Sequence, residues 1–146
     1  MKTGTWNGRV LAAASLFAAF ASAHLIDEFQ WSAPAEFHLS VTAAQLLAFV
    51  FMAALTGLIT FAAKGSSRGY LGLAVIGFVI ALADSLKHGP EILAPGPWRS
   101  GTTSEFLALG LTLSGIATAC MSMAARRKLR RVRDSGPVHR RIGLDT

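Results

Sequence analysis

Residues 42–63 read TAAQLLAFVFMAALTGLITFAA, an apolar run without one charged side chain. A helix needs about 20 residues to cross the hydrocarbon core of a bilayer, so this stretch is long enough for one full span. Working outward, three further apolar segments cover roughly residues 9–28, 70–88 and 103–125. The last meets the length easily, and the other two reach it when their polar outer turns are counted. A soluble chain of 146 residues could not bury four such runs, so the bilayer has to supply the apolar surroundings. The expected fold is all-α: an integral membrane four-helix antiparallel bundle over residues 1–125, followed by a basic cytoplasmic tail over 126–146.

The connections have ordinary loop chemistry. Lys64 to Gly69 is a short polar turn, Gly89-Pro90 is expected to end the third helix, and Pro95-Gly96-Pro97 to keep the next loop extended. Thr42-Ala43-Ala44-Gln45 and Thr102-Thr103-Ser104-Glu105 both fit the capping-box pattern. Beyond Arg133 the tail has no apolar period and reads as disordered.

Charge sets the orientation. Of the 14 Lys and Arg, eight follow Ala125, so the basic balance belongs to a tail and not to a surface. Lys2 and Arg9 precede the first segment, and Lys64 and Arg68 lie between the second and third. The other two loops hold only Lys87 and Arg99. The positive-inside rule then puts both termini in the cytoplasm of a multi-pass protein of the inner (plasma) membrane. Trp6 falls at the inner interface, with Trp31 and Trp98 at the outer one. A rival reading takes residues 1–23 as a signal peptide with cleavage after Ala21-Ser22-Ala23, which would leave three helices. The basic run from Arg126 to Arg133 directly follows a membrane segment and has no aromatic interleaving, which points to anionic lipid and excludes nucleic acid as a partner. Cys120 is the single cysteine, so no intrachain disulfide forms.

Small residues guide helix packing in lipid. Gly110, Ser114, Thr118 and Ser122 recur at four-residue spacing on the fourth segment, a stripe that suits either the bundle itself or a protein partner or second copy.

Ionisable residues in a membrane segment are costly and are commonly retained for function. His24, Asp27 and Glu28 share one face of the first helix at i, i+3 and i+4, and Asp84, His88 and Glu91 share a face of the third. His24 is 15 residues beyond Arg9 and Asp84 is 16 beyond Arg68. At about 1.5 Å per residue both lie roughly 22–24 Å from the inner boundary, at one depth. Glu105 and Gln45 come from the same end, and Glu36 and His38 lie in the adjoining loop; capping or solvation explains these four as well as a site does. His139, in the tail, carries no such expectation.

Imidazole with carboxylate suits a divalent transition metal, Zn, Mn or Fe. It also suits an acid–base pair or proton relay, or a polar headgroup. Ser32, Ser85 and Cys120 offer no evident nucleophile. The metal ligands expected are His24, Glu28, Asp84 and His88, with Asp27 as a supporting or acid–base catalytic group. Two other classes compete: a non-catalytic accessory or assembly subunit of a larger membrane complex, and a small transporter or proton conduit. The conduit needs a polar inner path, and the inner halves offer only Thr56, Thr60 and Ser15.

His24-Leu25-Ile26-Asp27-Glu28 resembles the signature of the HXXEE-motif membrane proteins, a family of small, helical bacterial chains. The resemblance covers about five residues, with Asp27 where the signature has its first Glu. It implies that His24 and Glu28 are motif positions; the family's pattern of histidine and acidic residues has suggested an enzyme, and nothing else is carried over.

Overall fold

A computed structural model describes residues 4–31, 33–94 and 101–135. These form α1 (Gly4–Gln30), the single-turn α2 (Ala33–Glu36), α3 (Val41–Ala63), α4 (Ser67–Leu93) and α5 (Thr102–Asp134), with no strand among the described residues. The four long helices are each long and apolar enough to cross a membrane. The expectations for Lys2, Ser32, Pro95-Gly96-Pro97, Trp98, Arg99 and His139 fall outside the described residues.

The helices make an antiparallel ring. α5 packs between α1 and α4, and α3 closes the ring against α1 and α4. α1 and α4 therefore stand diagonally across the bundle, and only long side chains bridge them. The core runs from Val10, Ala14 and Phe17 on α1 to Leu73 on α4 and Leu111 on α5. α3 is the least enclosed, with Leu55 and Ala62 as its buried residues. Its Leu46, Phe49 and Val50 are more than half exposed, which in a span of this hydropathy means contact with lipid.

Close approach of α4 and α5 depends on two glycines. A Cβ on Gly77 would lie 2.7 Å from the Gly115 carbonyl oxygen, and one on Gly115 would lie 2.8 Å from that of Gly77. Ser114, Thr118 and Ser122 are buried, and a Cβ on Gly110 would strike the Phe20 ring. Of the two uses the sequence allowed for the small-residue stripe, the structure shows packing inside the bundle. Small side chains let α5 approach α1 and α4 together.

Several helix ends differ from the sequence reading. Ser40, not Thr42, caps α3: its hydroxyl accepts from the Ala43 amide at 3.2 Å. α5 starts from Gly101, which has no side chain to cap with and whose backbone takes φ 87°, a conformation open mainly to glycine. Neither proposed capping box forms. α4 runs through Gly89-Pro90 to Leu93. Proline's fixed φ is helical, so the helix continues through Pro90 for one more turn without the bond that its missing N–H would make to Leu86. α5 continues nine residues past Ala125 to Asp134, with Arg131 and Arg133 against the negative end of its dipole. Lys128 lies 5.8 Å from the centre of the Trp6 ring, so the start of the basic tail is ordered against α1.

Candidate metal centre

The polar residues of α1 and α4 meet on the bundle axis. His24, Asp84 and His88 are all buried, and one donor atom from each lies within 4.8 Å of the others. His24 Nε2 is 3.3 Å from Asp84 Oδ1, and His88 Nε2 is 3.8 Å from the same oxygen. The imidazoles meet edge to face with centroids 5.3 Å apart. Glu28 adjoins this set: its Oε1 is 3.6 Å from His24 Nε2 and 3.4 Å from His88 Nε2. Metal bonds of about 2.0–2.2 Å in a tetrahedron separate neighbouring donors by roughly 3.3–3.6 Å, close to these spacings.

Each ligand candidate turns one atom inward while its other atom is mostly held elsewhere. Thr112 Oγ1 on α5 donates to Asp84 Oδ2 at 2.7 Å, leaving Oδ1 for the histidines. Lys87 Nζ pairs with Glu28 Oε2, leaving Oε1. Glu91 Oε2 is 3.5 Å from His88 Nδ1, so Nε2 is the atom turned inward. Carboxylates on the far nitrogen of a ligating histidine fix its tautomer and ring angle in metal sites generally. His24 Nδ1 is buried without a hydrogen-bond partner among the described residues.

The i, i+4 spacings His24–Glu28 and Asp84–His88 put each pair on one helical face, and equal depth brings the faces level. Asp27 lies apart from the close set. Its Oδ2 accepts a 2.5 Å hydrogen bond from Ser104 at the start of α5 and so ties α1 to α5. Gln45, Glu36 and His38 are exposed, and Glu105 is half-buried on the α5 end. Sequence reasoning did not single out Thr112, it read Ser104 only as part of a capping box, and it counted Lys87 as a loop charge where the structure pairs it with Glu28.

Beside the cluster, between α1, α3 and α4, lies a cavity of about 540 Å³. Its walls are mostly apolar, and His24, Glu28, Asp84 and Lys87 form its polar side. Phe37, after α2, covers that side with Lys87 Nζ 5.6 Å from its ring centre.

The chain matches no protein-family model, and comparisons with curated proteins and with solved structures found no match.

Proposed function

We propose that this chain is a membrane-embedded metalloprotein, with His24, Asp84 and His88 as ligands of one divalent transition metal and Glu28 as a fourth ligand or an acid–base group beside it. The observation that carries this reading is the convergence of His24 Nε2, His88 Nε2 and Asp84 Oδ1 at a buried point between diagonal helices. Three protein ligands are the arrangement of catalytic zinc sites, whereas structural ones close with four. Two histidines and one carboxylate are equally the donor set of non-haem iron, so Fe and Mn stand beside Zn. The arrangement supports an enzyme acting on a substrate with an oxygen donor. The resemblance of His24 to Glu28 to the HXXEE signature is consistent with that, since both residues lie at this site. Purified chain should carry about one Zn, Mn or Fe per protein by elemental analysis, as expected for a single site.

The accessory-subunit reading keeps the chain's small size as support but loses one of its grounds, the α5 stripe, which is buried inside the chain. A conduit is not favoured either: the Thr56 and Thr60 hydroxyls bond carbonyls of their own helix and are exposed on α3.

The reading includes orientation. Lys64, Arg68 and the α5 extension lie at the end away from the cluster, which the positive-inside rule assigns to the cytoplasm of the plasma membrane. The metal site then faces outward. Reporter fusions at residue 66 and at the C-terminus should report cytoplasm, and one at residue 35 the opposite side. An outside C-terminus would reverse the assignment.

A further inference from the structure

A second cavity lies at the end of the bundle away from the metal cluster, between the start of α1, the α3–α4 turn and α5. Lys64, directly after α3, and Lys128, on α5, both line it, and no carboxylate does. Neither lysine pairs with a carboxylate among the described residues. The one acidic side chain described at this end is Asp134, about 9 Å further along α5 than Lys128. The wall between the lysines is fixed by hydrogen bonds. Asn7 Nδ2 donates to the Ala63 carbonyl at 3.1 Å, and the Tyr70 hydroxyl donates to Asn7 Oδ1 at 3.1 Å.

This cavity sits at headgroup level. Trp6 opens one membrane span, and Lys64 directly follows another. Tryptophan and tyrosine gather at that boundary in membrane proteins. Leu129 and Val132 also line the cavity, on the stretch of α5 beyond Ala125, and are 37% and 56% exposed. Cationic and apolar side chains side by side suit a molecule that is anionic at one end and apolar at the other. A free phosphate would use only the first.

Independently of the metal-site reading, we propose that this cavity binds the phosphate of one anionic phospholipid between Lys64 and Lys128, with the glycerol and first methylenes against Leu129 and Val132. Two ammonium groups with no counter-charge beside them select an anion, as basic pockets between membrane helices do. A choline headgroup fits poorly. No carboxylate is there to meet its quaternary ammonium, and the Trp6 ring already holds Arg9 at 5.3 Å and Lys128 at 5.8 Å.

The test uses the full chain in neutral detergent micelles, titrated with phosphatidylglycerol and read by native mass spectrometry. One lipid should bind, at about tenfold the affinity of phosphatidylcholine. Lys64→Gln should weaken that binding about fivefold, and Lys64→Gln combined with Lys128→Gln about 30-fold. Arg68→Gln and Arg127→Gln each remove the same charge outside the cavity and should change binding by less than about twofold. Lys64, Arg68 and Arg127 are exposed, so these single changes leave the fold intact. Equal losses from Lys64→Gln and Arg68→Gln would overturn the proposal, because a diffuse basic surface prefers no residue. Equal binding of phosphatidylcholine would also overturn it. Displacement of the lipid by equimolar inorganic phosphate would do the same, giving the cavity to a soluble anion.

Discussion

His24→Ala should lower the affinity for Zn or Mn by more than about 100-fold while the chain still inserts and folds. Even residues that merely orient a ligand are worth roughly 10–100-fold in metal affinity, so loss of a direct donor should exceed that range. His24 Nε2 is within reach of both Asp84 Oδ1 and Glu28 Oε1, and no other histidine replaces it from α1. Thr112→Val is the graded companion. It removes the hydroxyl that holds Asp84 Oδ2 but leaves every donor in place, so it should cost roughly 10–100-fold. Competition with a chromophoric chelator measures both. If His24→Ala binds metal as tightly as the wild type, that histidine is a core residue and not a ligand.

Gly115→Leu should destabilise the bundle by at least about 3 kcal/mol, the upper part of the range for overpacking. At Gly115 even a Cβ would lie 2.8 Å from the Gly77 carbonyl and 3.2 Å from Ala81 Cβ, so relief requires moving α4 away from α5. That motion also displaces Asp84 from Thr112, so metal affinity should fall with stability. Gly57→Leu is the matched control, because a Cβ there meets nothing within 4 Å. Unfolding in mixed micelles with increasing denaturing detergent reads the difference. Equal stability of the two variants would show that the α4–α5 contact is not the tight one.

The reach of the sequence can be judged from particular residues. Hydropathy alone located the four spans, because a bilayer demands long uncharged helices. Counting from Arg9 and Arg68 placed His24 and Asp84 at one depth, and the structure has them 3.3 Å apart. Periodicity gives the residues that share a face but not the neighbour that face meets. Thr112 therefore passed unnoticed inside an apolar run, and so did the alliance of Lys87 with Glu28. One signal was available: Thr112 is 14 residues before Arg126, about 21 Å along the helix and level with Asp84. A buried carboxylate calls for a donor at its own depth. The stripe on α5 was ambiguous for the same reason, since small residues permit close packing without naming the partner. Helix ends were misjudged where a local alternative won: Ser40 over Thr42, a left-handed glycine at 101, and a proline accommodated in a last turn.

X-ray absorption of chain purified without chelators or a polyhistidine tag tests the central claim most directly, with elemental analysis on the same preparation. The account predicts about one Zn, Mn or Fe per chain, with nitrogen and oxygen neighbours at roughly 2.0–2.2 Å and imidazole scattering that is lost in a variant carrying both His24→Ala and His88→Ala. A chain that holds no metal as purified, takes up none when Zn, Mn or Fe is added, and gives the same result with or without those histidines would contradict it.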